Sequence, residues 1–162
     1  MSNKLLSSLF EYKAWANRGL YDALLAVPAG EHPAQMAIIT ITLDHVSVVD
    51  RLFQARLVGE PDPFPGIISP VTPSLAELRD TVAKTDAWYV DYVRAVPQSD
   101  LDEVLTFTFT DGDLGRMSRA EMLGHVLTHG NSHRGAVGQV LSSIKVKGAP
   151  DMLTSYLSST RR

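Results

Sequence analysis

The sequence predicts an all-α fold, a four-helix bundle with a minor β-hairpin and a short C-terminal helix, and three observations predict it. Long stretches carry apolar residues at the spacing of one helix face. Two of those stretches open with Ser-x-x-Glu capping boxes, and only one short segment alternates apolar with polar. Leu5, Leu6, Leu9, Tyr12, Ala16, Leu20, Tyr21 and Leu24 recur at helical spacing and place a first helix over about residues 3–26, ended by Pro28-Ala29-Gly30. A second helix runs from Pro33, a favoured first-turn residue, to Val58, where Gly59 stops it. Its expected buried face is Ile38, Ile41, Val48, Val49 and Leu52, with His45 at the centre. The stretch 60–73, with five prolines, is too proline-rich for regular structure and reads as a long loop lying across the bundle near the site.

Ser74-Leu-Ala-Glu77 opens a third helix that continues to about Ala95, before Pro97. Val104-Leu-Thr-Phe-Thr-Phe-Thr110 alternates, and Asp111-Gly112 follows it, which predicts a hairpin closed by a tight Asp-Gly turn. Ser118-Arg-Ala-Glu121 opens a long fourth helix to about Ile144, broken by Gly148-Ala-Pro150, and a short helix over Asp151–Leu157 closes the chain. No repeat, low-complexity tract or linker divides the sequence, so residues 1–162 read as a single domain.

Composition excludes several classes of function. The hydrophobic share of 44% and charged share of 20% are those of an ordinary globular protein. A net charge of −3 argues against non-specific nucleic-acid binding, and the only dense basic pair is Arg161-Arg162. With no cysteine there is neither a disulfide framework nor a thiolate ligand, so any metal must be held by nitrogen and oxygen. Glu11 and Lys13 stand where a signal peptide would continue apolar, and no run reaches the roughly 18 apolar residues of a membrane span. A cytoplasmic protein with no membrane partner is expected.

The chemistry lies in His125-Val-Leu-Thr-His129-Gly-Asn-Ser-His133 of the fourth helix. Residues four apart stack on one helix face, and two imidazoles so placed can grip one metal ion. At roughly 100° per residue, His133 falls within the stripe of Met122, Val126, Val137, Val140 and Ile144, and His129 flanks it. His125 turns toward the rim. A lone histidine on an apolar face, as His45 is, ordinarily reads as a hydrogen-bonded core residue. Beside an inward His-x-x-x-His pair it becomes a third ligand, because three buried imidazoles each need a partner and one cation satisfies all three. Three nitrogens leave a coordination position open, which is the pattern of a catalytic site. Zinc, nickel, iron and copper all suit such a donor set. His32, beside a proline at a helix start, reads as a solvated terminus residue.

The chain resembles the DinB-like (DinB/YfiT-type) superfamily of bundle-shaped metalloenzymes. The resemblance rests on Glu11-Tyr12-Lys-Ala-Trp15-Ala16-Asn17, on His45, on His125-x-x-x-His129-x-x-x-His133-Arg134-Gly135, and on the Asp111-Gly112 hairpin. It covers nearly the whole chain. It implies an up-down-down-up bundle with a long crossover, a homodimer, and a divalent transition metal (Zn, Ni or Fe) held by His45, His129 and His133, with His125 outside the ligand set. Relatives with assigned activities are thiol-dependent S-transferases and a maleylpyruvate isomerase, so the resemblance also implies a small-molecule substrate and a low-molecular-weight thiol as co-substrate. One departure is Ala136, where the family commonly has glutamine; Gln139 is the nearest replacement.

Arg134 reads as a site for an anionic substrate or for a carboxylate across the bundle. Asn131 and Asp44 read as partners fixing imidazole tautomers or as solvated helix residues, and Tyr12 and Trp15 as pocket lining or plain core. The leading expectation is a metal-dependent transferase or hydrolase of the thiol S-transferase type, whose ion activates a thiol or water. The alternatives are a histidine-phosphotransfer-like signalling bundle, suggested by His133-Arg134-Gly135, and a non-catalytic helical binding protein.

Overall fold

Local chemistry sets the ends of most elements. In a computed structural model, which describes residues 3–160, the order is α1 (Asn3–Leu25), α2 (Pro33–Val58), α3 (Leu75–Ala95), β1 (Val104–Thr108), β2 (Leu114–Ser118), α4 (Arg119–Ser143) and α5 (Leu153–Thr160). A 3-10 turn over Gln98–Asp102 precedes β1. The protein is thus mostly helical with one antiparallel hairpin; Arg161-Arg162 lies outside the described residues. Both capping boxes form: the Ser74 and Ser118 hydroxyls accept from the Glu77 and Glu121 amides, and each glutamate accepts in return from its serine's backbone N–H. Gly59 ends α2 at φ 73°, a conformation that suits glycine, while the neighbouring amides cap the carbonyls of Ala55 and Arg56.

Two elements differ from expectation. The hairpin does not close through a two-residue Asp-Gly turn. Phe109 N–H donates to the Asp113 carbonyl at 2.8 Å, so Thr110, Asp111 and Gly112 form a three-residue loop, with Gly112 supplying the positive φ of 96°. The last helix runs over Leu153–Thr160, two residues later at its start and three at its end than expected, with Tyr156 N–H donating to the Met152 carbonyl; the Asp151 carboxylate, just outside it, is engaged by Arg134 and Tyr12.

The core is two apolar clusters separated by a polar layer. One cluster gathers Leu6 and Phe10 of α1, Phe53 and Leu57 of α2, Tyr89 and Val93 of α3, and Met122 and Val126 of α4. The other gathers Leu20 and Leu24, Ile39 and Leu43, Leu78 and Val82, and Val137 and Leu141 of the same four helices. The chain passes from the first cluster to the second in α1 and α4, and from the second to the first in α2 and α3. The segment joining α2 to α3 must therefore travel back along the molecule, and on its way it passes the polar layer. Asp44 holds it there, accepting from Ser69 N–H at 2.9 Å and from Ser69 Oγ at 2.6 Å.

The residues of the polar layer interrupt each apolar stripe at the same height. They include Lys13 and Asn17, Asp50, Asp86 and Arg134, all buried, and His45, His129 and His133, half-buried. Three residues expected inside face outward: Leu5, Ile38 and Ile41 are 47%, 55% and 52% exposed. Val48, Val49 and Leu52 of α2 are buried as expected, but Ile39, Leu43, Val46, Asp50 and Phe53 share that burial, which puts His45 at the edge of the buried face.

Candidate metal centre

His45 comes from α2, and His129 and His133 from successive turns of α4, so two helices deliver three imidazoles to one point. Their ligand nitrogens all lie within 4.8 Å of one another, and His45 Nε2 and His129 Nε2 are 3.0 Å apart. Nitrogens bonded to a shared zinc ion at about 2.0–2.1 Å each are separated by no more than about 4.2 Å. The closest pair already meets that limit, and the whole set comes close to it. His133 packs edge-on to both others, at ring-centroid distances of 5.0 Å from His45 and 4.5 Å from His129.

The 60–73 loop fixes the tautomer of His45. Its Nδ1 lies 2.8 Å from the Ile67 carbonyl oxygen, which can only accept, so Nδ1 carries the proton and the Nε2 lone pair points at His129. This is how metal-ligating imidazoles are ordinarily oriented. His129 then donates from Nε2 to His45. Its own Nδ1 is closed off from solvent and has no hydrogen-bond partner among the described residues.

Crowding opposes protonation of the cluster. Burial, then the imidazoles of His133, His45 and His125 and the Lys13 ammonium, push His129 down to about 4. Burial and His45 lower His133, and burial lowers His125. Neutral imidazole is the metal-binding form, so His129 stays available for a metal well below neutral pH. The same depression has a consequence for stability. Between the ordinary value of 6.5 and about 4, the unfolded chain takes up a proton at this position that the folded chain refuses. Metal-free protein is therefore expected to lose stability as pH falls through that window. Urea midpoints measured in chelator from pH 7 to 4 should decline more steeply for wild type than for His129→Gln; parallel curves would contradict this.

Residues 1–160 match the DinB family. The chain belongs to that family. It is also similar to Protein DinB of Bacillus subtilis (strain 168), 23% identical over 163 residues that cover 94% of each chain.

The other residues singled out in the sequence sit around the centre in different ways. His125 is stacked on Phe53 (4.7 Å) and on His129 (5.3 Å), forming a wall beside the three nitrogens. Arg134 reaches away from the imidazoles: its Nε donates to Asp151 Oδ2 at 2.8 Å and its Nη2 to Asn131 Oδ1 at 3.4 Å. Tyr12 donates to Asp151 Oδ1 at 2.5 Å and lies 3.5 Å from Asn131 Oδ1. These three residues form a clasp that ties the 145–153 segment to α1 and α4, and Arg134 and Asn131 line a cleft of about 280 Å³ beside it. Trp15 packs on Tyr12 and Tyr156, and Asp44 serves the loop, not a ring nitrogen.

The sequence reading missed the charged residues of the polar layer. Lys13 Nζ donates to Asp50 Oδ2 at 2.7 Å and to Asp86 Oδ1 at 2.6 Å, and Asn17 Nδ2 donates to Asp86 Oδ2 at 2.8 Å. Burial alone would lower the Lys13 pKa; the two carboxylates reverse that and push it up to about 12. Burial raises Asp50, although Lys13 opposes it. The available signal was a charged residue at a core position on each of the first three helices: Lys13 between Phe10 and Ala16, Asp50 between Val49 and Phe53, Asp86 between Val82 and Tyr89.

Proposed function

We propose that His45, His129 and His133 hold a divalent transition metal ion (Zn, Ni or Fe) and that the chain is a metal-dependent enzyme of the thiol S-transferase or hydrolase type, acting on a small molecule. In this reading residues 1–162 are one domain, an up-down-down-up four-helix bundle whose long crossover is the 60–73 loop. The carrying observation is the 3.0 Å approach of His45 Nε2 to His129 Nε2 with His45 Nδ1 held by the Ile67 carbonyl. Three nitrogen donors leave room for an exogenous ligand, and an ion so bound supplies a Lewis acid that favours the thiolate of a low-molecular-weight thiol or the hydroxide of water.

The chain's own contribution is orientation and exclusion. Ile67 and Asp44 hold the crossover against the site, and the stacked Phe53–His125 pair closes one side of it. Depressed basicity favours the neutral, metal-binding form of His129 and His133. The phosphotransfer alternative needs a free, exposed histidine, whereas His133 is half-buried and packed between two other imidazoles.

Elemental mass spectrometry of untagged protein prepared without chelator tests the reading. Near-stoichiometric zinc, nickel or iron in wild type, with little in His129→Ala, is the expected result. It would justify a screen of electrophiles with small thiols. Wild type that holds no metal and cannot be reconstituted would end it.

A further inference from the structure

The metal reading, on which this inference rests, places a demand on His129. In the metal-free arrangement its Nε2 carries the proton donated to His45 and its Nδ1 is bare. A neutral ring that bound a metal through Nε2 would carry its proton on Nδ1 instead, and a buried N–H there would need an acceptor. Among the described residues, the buried side-chain atoms without a hydrogen-bond partner are Asp50 Oδ1, Tyr21 Oη and His129 Nδ1 itself. Asp50 Oδ1 is therefore the orphaned carboxylate oxygen, and it belongs to the same polar layer. Its other oxygen holds Lys13, whose Cε comes within 3.4 Å of where a Cβ would sit on Gly130, the residue next to His129. The lysine stem thus lies against the ligand helix.

We infer that Asp50 is a positioning residue for the metal centre: it is the outer acceptor of the His129 Nδ1–H, reached through a buried water, and Lys13 and Asp86 hold its carboxylate in place.

Co²⁺ reports on this directly, because its visible spectrum reads ligand geometry and chelator competition reads affinity. Asp50→Asn is expected to weaken Co²⁺ binding by about 10–100-fold and to shift the visible bands. Val93→Ala, a core truncation outside the layer, should lower stability yet leave both unchanged. Tyr21→Phe, which removes the other orphaned polar group, should bind Co²⁺ like wild type; if Asp50→Asn also binds like wild type, the inference fails. Should Asp50→Asn not fold, wild-type protein loaded with Zn²⁺ still decides the matter. ¹⁵N-edited NMR is expected to show His129 protonated at Nδ1 with a slowly exchanging, downfield proton, and a fast-exchanging one would overturn the proposal. Wild type that binds no metal at all is a different failure, that of the metal reading itself.

Discussion

Lys13→Ala is expected to cost about 3–5 kcal/mol of folding stability, because it strands two carboxylates in the interior with no cation between them. Lys13 is 1% exposed, and the carboxylates it bridges, Asp50 and Asp86, are 2% and 3% exposed. Neither water nor a rearranged surface side chain can replace the ammonium. A domain of ordinary stability has about 5–15 kcal/mol in total, so the loss should appear as a large fall in urea midpoint and in soluble yield. The deficit belongs to the unpaired charge, not to the lost contact. Lys13→Met combined with Asp50→Asn and Asp86→Asn, which removes all three charges at similar volume, should recover most of it. A Lys13→Ala protein within about 1 kcal/mol of wild type would show that the layer is hydrated and the ion pairs are incidental.

What could be read from the sequence was what short-range chemistry decides. Ser74 and Ser118 with their glutamates, Pro33 and Gly59 act within one turn of chain, and the helix ends they predict are the ends observed. His129 and His133 meet because they are one turn apart. His45 joins them from 84 residues away, and its position on an apolar stripe made it a candidate. The polar layer was illegible for the converse reason. Lys13 bonds to groups 37 and 73 residues distant, and a charged residue within a stripe reads as an interruption until its partners are placed opposite it. Arg134 shows the same limit: its charge was evident, but its partner, Asp151, sits beyond a Gly-Ala-Pro break that sequence reading could only treat as a stop. Ile38 and Ile41 erred in the other direction, since α2 is apolar around most of its circumference and hydrophobicity alone does not say which side faces the core.

A saturating divalent metal should raise the melting temperature of wild type, and the size of that shift across histidine variants should separate ligands from neighbours. Binding to the folded state alone stabilises it by about 2.7 kcal/mol when free metal is 100 times its dissociation constant. For a chain of this size that corresponds to roughly 5–11 °C. His45→Ala, His129→Ala and His133→Ala should each abolish the shift, since two remaining nitrogens hold an ion far less tightly. They should not unfold the protein, because each ring is only half-buried and the two apolar clusters lie above and below the layer. His125→Ala tests the boundary of the set. Its ring is stacked on Phe53 and His129, outside the convergent trio, so its loss should lower the metal-free melting temperature modestly and leave the metal-induced shift intact. If His125→Ala removed the shift, the ion would sit one turn nearer the hairpin with four nitrogens around it. A closed, four-ligand site of that kind is a structural one, and the case for an open catalytic position would fall with it.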